Sequence, residues 1–158
     1  MAGIKRIDHV AIAVKDVEQA VRQYEGLLNA VHVRTEVLQE KAGPVRVAYM
    51  QIGENILSLV QSLEPEGFIN QHIAKHGEGL HHLGLEVEDL EAFVSEVEAK
   101  GYRIPLRDEF TNRSEVVLRP KDANGVVLQV LEWKGGSDAS VEERIDRILK
   151  LGNRPEQT

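Results

Sequence analysis

Asp8-His-Val-Ala-Ile-Ala-Val14 and His81-His-Leu-Gly-Leu-Glu-Val87 are two copies of one pattern, with His82 standing 73 residues after His9. The match continues past the histidine. Val14-Lys-Asp16-Val17-Glu18 aligns with Val87-Glu-Asp89-Leu90-Glu91, and Val21 and Glu25 align with Val94 and Glu98. A strand, an Asp-capped turn and an amphipathic helix thus occur twice, the mark of an internal duplication. Farther on, Leu57-Ser-Leu-Val60 overlays Leu128-Gln-Val-Leu131 and relates Ser58 to Gln129.

The alternation from Ile7 to Val14 is that of a strand. It puts His9, Ala11 and Ala13 on one face and Val10, Ile12 and Val14 on the other. The Val/Ile face is the packing face, and the small residues around His9 suit a cavity wall. Asp16 is the expected N-cap of a helix from Val17 to about Leu28, and Asp89 that of a helix from Leu90 to Lys100 stopped by Gly101. Val45–Gln51, Asn55–Gln61, Ser114–Arg119 and Val126–Glu132 read as strands, with weaker ones near Val31–Val37 and Tyr102–Leu106. Phe68–Lys75 reads as a short helix. The spacing therefore predicts an α+β fold of two βαβββ modules, over about 4–62 and 79–133, within one domain covering 1–133. Residues 134–158 form a polar linker, Lys134-Gly-Gly-Ser-Asp, then a helix over Val141–Leu151 whose apolar stripe (Val141, Ile145, Ile148, Leu149) must dock on something, and a frayed end.

Composition narrows the function. The 158 residues carry 42% hydrophobic side chains, enough for a core, and no cysteine, so a metal would rest on nitrogen and oxygen ligands. A net charge of −7 argues against nucleic acid, whose binding depends on neutralising phosphates. No apolar run approaches the roughly 20 residues of a membrane span, and Met-Ala-Gly-Ile-Lys-Arg lacks the apolar stretch of a signal peptide. The expectation is a soluble, cytoplasmic protein.

Two imidazoles at equivalent strand positions, with Ser58 and Gln129 as oxygen donors, suit one divalent ion of Co, Zn, Ni, Mn or Fe. The symmetric pairing favours ligation over two separately satisfied strand histidines. His72 and His76, four apart on the short helix, are expected to be solvent-exposed. His81 alternates away from His82, and His32 has no partner in sequence.

With Ile7-Asp-His-Val-Ala-Ile-Ala-Val14, Gly77-Glu-Gly-Leu-His-His-Leu-Gly-Leu-Glu-Val87, Pro120-Lys-Asp122 and Gly125-Val-Val-Leu128 in view, residues 4–133 resemble the vicinal-oxygen-chelate superfamily. This is the glyoxalase and bleomycin-resistance group, and the resemblance is to its methylmalonyl-CoA epimerase branch. It implies paired modules forming an open eight-stranded cup, a homodimer, and a divalent metal at the bottom of the cup. His9 and His82 match the family's histidine ligands. Ser58 falls where the epimerases have Glu or Gln, and Gln129 where they have Glu, so two neutral oxygens replace charged or amide donors. The implied reaction is proton abstraction next to a carbonyl of a small acid or CoA thioester chelated to the metal. With Glu absent at 129, Glu115 is the carboxylate placed nearest the site, and the repeat pairs it with Arg46. The same departures leave open a binding protein that sequesters a ligand without chemistry, or another metal-dependent lyase, dioxygenase or glyoxalase.

Overall fold

The computed structural model describes residues 3–135 and 140–149. Its elements are β1 (Ile4–Ala13), α1 (Val17–Leu28), β2 (Val31–Glu40), β3 (Gly43–Ile52), β4 (Asn55–Ser62), α2 (Phe68–His76), β5 (Gly79–Val87), α3 (Leu90–Ala99), β6 (Leu106–Glu109), β7 (Arg113–Leu118), β8 (Val127–Trp133) and α4 (Val141–Leu149). The class is mixed α+β, with an eight-stranded sheet in the order β2-β3-β4-β1-β5-β8-β7-β6. From either edge inward the strands run second, third, fourth, first of their module, so the duplication seen in the residues is one of topology as well.

The chain divides into two compact units. One holds His9–His81 and the helix α4; the other holds residues 3–8 together with those from His82 to 135. The boundaries fall immediately before each of the paired histidines, so β1 and β5 each contribute to both units.

In the N-terminal unit, β1 runs parallel to β4, with Ala11 opposite Ser58, and β3 lies antiparallel between β4 and β2. Asp16 accepts from Gln19 N at 3.1 Å, the expected cap of α1. The helix buries Val17, Ala20 and Val21 against Ala48, Met50, Leu57 and Leu59, with Val10 and Ile12 packed alongside. Ser62 Oγ accepts from Ile69 N at 2.9 Å and so ties the start of α2 to the end of β4. On the other side of the unit α4 docks, its Ile148 carbonyl accepting from Arg34 and the Glu54 carbonyl accepting from Arg144. Ile148 is buried, as the apolar stripe requires.

In the C-terminal unit β5 runs parallel to β8, and β7 lies antiparallel between β8 and β6. Asp89 caps α3 by accepting from Ala92 N at 2.9 Å. That helix packs Leu90, Phe93 and Val94 onto Leu85, Val87, Val116, Leu118 and Val130.

Two strands differ from expectation. β2 is ten residues long, with a register shift between His32 and Arg34. β6 begins only at Leu106, because Pro105 has no N–H to give a ladder. The linker at 136–138 and the tail at 153–158 lie outside the described residues.

Candidate functional site

The C-terminal unit separates its two faces sharply. Leu85, Val87, Val116, Leu118 and Val130 pack toward α3. Strand alternation therefore sends His82, Gly84 and Glu86 of β5, and Gln129 and Leu131 of β8, to the opposite face. Cross-strand pairing aligns these residues in rows. Gly84, Gln129, Val117 and Leu106 are register partners in one row; Glu86, Leu131, Glu115 and Asp108 form the next. His82, Gln129 and Glu115, selected from the sequence for separate reasons, thus share one face. Glu86 (1% exposed), Asp108 (2%), Glu115 (3%) and Arg113 (6%) make that face charged and buried at once.

Sequence reasoning missed three of these. Glu86 could have been found, since it lies two alternations beyond His82. Arg113 could too, since it stands two residues before Glu115 on β7; Asp108 could not, because only the β6–β7 register brings it beside Glu115.

Glu115 is tightly held. Arg113 Nε donates to it at 3.1 Å, and the Gln129 side chain hydrogen-bonds it as well. The Arg113 guanidinium lies 3.9 Å from the Phe110 ring centroid and 5.7 Å from that of Trp133. The Trp133 indole N–H donates to Asp8 at 2.8 Å. Burial pushes the Glu115 carboxyl above the usual carboxylate range; Arg113 pulls it down and Asp108 pushes it up again. Gln129 Oε1 is buried and has no hydrogen-bond partner among the described residues, so the amide meets Glu115 through Nε2. A buried acceptor without a donor marks a place for a cation or for a ligand's O–H.

In the N-terminal unit, His9 lies on the Ala11 and Ala13 face of β1, away from Val10 and Ile12, which pack on α1. Ser58, opposite Ala11, belongs to that face too, as do its register partner Tyr49 and, beyond it, Arg34. Arg34 pairs with Glu36 at 3.0 Å. The register also corrects one expectation. Val60 corresponds to Leu131, and the residue opposite Val60 is Val47, so Glu115 is matched by Val47 and not by Arg46, which faces the other side. Unequal loops shift the repeat by one residue on this strand.

Among the described residues no three His, Asp or Glu side chains are gathered to hold a metal ion. Any site would therefore draw on neutral oxygens as well as imidazoles, and Gln129, with its buried oxygen unsatisfied, fits such a role.

One of the remaining histidines differs from expectation. His76 is exposed, but His72 is half-buried, its ring 4.8 Å from those of both His76 and His81. His81 lies 5.7 Å from Phe68. The packing of α2 over the start of β5 is what encloses these rings. Burial, and then the neighbouring His72, push the His81 pKa down to about 4.

A family model for the Glyoxalase/Bleomycin resistance protein/Dioxygenase superfamily matches residues 8–116. The chain belongs to this superfamily. Among curated relatives, the mitochondrial methylmalonyl-CoA epimerase of Homo sapiens is 30% identical over 133 residues, 81% of this chain and 74% of that protein. Among solved structures, methylmalonyl-CoA epimerase from Mycobacterium tuberculosis superposes with a TM-score of 0.76 at 26% identity, covering 84% of this chain and 90% of that one. A variant of the Streptomyces coelicolor epimerase, in complex with 2-nitronate-propionyl-CoA, superposes with a TM-score of 0.78 at 26% identity, covering 87% and 100%.

Proposed function

We propose that this superfamily member is an isomerase of the methylmalonyl-CoA epimerase type. It would take a proton from the carbon next to a carbonyl of a small acid or CoA thioester and return it. The observation that carries this reading is the face shared by His82, Gln129 and Glu115, where a buried carboxyl with a raised pKa adjoins an amide whose oxygen lacks a donor. Relatives named as methylmalonyl-CoA epimerases, one bound to a propionyl-CoA nitronate, supply the substrate class.

In this reading His9 and His82 are the imidazole ligands of a divalent cation, with Gln129 and Ser58 as oxygen donors. When bound, the cation would supply Lewis-acid stabilisation of negative charge on a carbonyl oxygen. The protein's own part is proton handling. Glu115, its pKa raised by burial and its carboxyl held by Arg113, is the group suited to take a proton and give it back. The protein would act as a homodimer, which light scattering well above the 17.7 kDa monomer mass would support.

The test is exchange of the α-proton of methylmalonyl-CoA in heavy water, with and without added cobalt, alongside elemental analysis of wild type, His9→Ala and His82→Ala. Metal-stimulated exchange, with metal lost in both variants, is expected. Absence of exchange removes the epimerase reading, and equal metal content in all three proteins removes the ligands. A second reading, a binding protein without chemistry, is favoured by one observation: the Glu115 carboxyl is already engaged by Arg113 and Gln129. Binding of a CoA thioester without exchange would select it.

A further inference from the structure

An amide side chain has two ends of nearly equal size and opposite hydrogen-bonding character, so something must decide which end faces a ligand. For Gln129 the neighbours make that decision. Glu115 lies one step diagonally from it across β7 and β8, next but one to its register partner Val117, within reach of long side chains. A carboxylate only accepts, so it takes the Nε2 end and leaves Oε1 on the far side, buried and unpartnered. Glu115 cannot turn aside, because Arg113 Nε holds it at 3.1 Å, and Arg113 is itself set against the Phe110 ring at 3.9 Å.

We infer that Glu115, anchored by Arg113, is a positioning residue for Gln129, fixing the amide so that its oxygen is the atom offered to a bound cation. This deepens the metal-assisted reading above and rests on it for the identity of what the oxygen receives. It is separable from proton transfer by Glu115, which is read by exchange and not by affinity.

The geometry gives an order of effects that a purely structural role does not. In Glu115→Gln, Arg113 still needs an acceptor, so the new amide turns its oxygen to Arg113 and its NH2 to Gln129. Gln129 must then reverse, presenting its own NH2 where a cation would bind. In Glu115→Leu the directing group is merely removed, and either orientation of Gln129 is open. The isosteric substitution is therefore the more harmful one for metal binding, whereas for packing and stability it is the milder.

The experiment is titration of the metal-free full chain with Co2+, followed by visible absorption. It is paired with NMR of the Gln129 side-chain NH2 in the metal-free protein. Glu115→Gln is expected to weaken Co2+ binding about 10- to 100-fold, the range for groups that orient a metal ligand, and Glu115→Leu by less. In NMR, the wild-type Gln129 N–H should be protected from exchange with solvent deuterium and lose protection in both variants. Co2+ affinity of Glu115→Gln equal to wild type, or a weaker Glu115→Leu, overturns the inference, as does an unprotected Gln129 N–H in wild type. Should wild type take up no Co2+ at all, the metal reading falls. The NMR protection then still decides the orientation, and Glu115→Gln keeps the test open if Glu115→Leu fails to fold.

Discussion

Arg113→Met isolates what holds the buried carboxyl in place. Methionine keeps an unbranched, polarisable side chain against the Phe110 and Trp133 rings, so most of the packing survives while the charge goes. Glu115 is then a buried carboxyl with Asp108 opposite it and no guanidinium beside it. Removing one partner of a buried pair costs about 3–5 kcal/mol when the other stays ionised. The carboxyl can avoid that by taking a proton, because burial already raises its pKa and the first opposing influence, Arg113, has been deleted. The sign follows from linkage. A carboxyl whose folded pKa lies above its unfolded value contributes stability at low pH and loses it as pH rises toward the folded pKa. Deleting Arg113 raises the folded pKa further, so the deficit of the variant relative to wild type must widen with pH. The limit is about 1.36 kcal/mol per pH unit, ending near the pair-breaking figure. Urea unfolding of both proteins at intervals from pH 5 to pH 8 measures this directly. A deficit that stays flat or shrinks with rising pH would mean that Glu115 is not a charge-starved buried acid and would refute the reasoning.

Acid should destabilise the protein through His81, whose pKa lies at about 4. Its neutral-ring contribution is complete above roughly 6.5 and is lost as pH falls toward 4, amounting to about 3 kcal/mol at most; His81→Phe should flatten melting temperature against pH over that window, and an unchanged profile counts against the buried-ring account. Truncation after Lys134 removes the burial of Ile148, about 1.5–3 kcal/mol, and the bonds to Arg34 and Glu54. Denaturant unfolding should show that loss, and unaltered stability would deny that α4 is docked.

The parts of the fold that are legible in the residues are those where local and tertiary demands coincide. His9–Val14 and His82–Val87 alternate because one face packs on a helix, and Asp16 and Asp89 cap because short acidic side chains satisfy free N–H groups. The edge strands are harder to read. β2 carries Arg34, Glu36, Gln39 and Glu40 because an outermost strand is kept from pairing by charge, which erases the apolar signal. The repeat marks His9, His82, Ser58 and Gln129, the residues proposed as ligands. Asp108 is not legible in that way, since pairing register is a property of two distant segments and has no local trace in either, whereas Arg113 stands two residues from Glu115 on its own strand.

The first copy of the repeat shows what the fold requires of the second. Ala13, Val60, Val47 and Glu36 occupy one cross-strand row of the N-terminal unit. Their counterparts in the C-terminal unit are Glu86, Leu131, Glu115 and Asp108. A strand pattern that folds with Ala13 and Val47 has no structural need of glutamates there, and buried ion pairs are at best neutral for stability beside apolar residues of similar volume. On the proposed function, Glu86 and Glu115 would serve chemistry and not architecture. The double substitution Arg113→Met with Glu115→Val, which installs the residue of the first copy and removes the stranded cation with it, should be as stable as wild type or more so. The gain could reach about 1–4 kcal/mol, the reverse of Arg113→Met alone at pH 8. The same protein should lose α-proton exchange. Denaturant unfolding and the exchange assay on one preparation give both answers, and a double variant as unstable as the single one would return these charges to the scaffold.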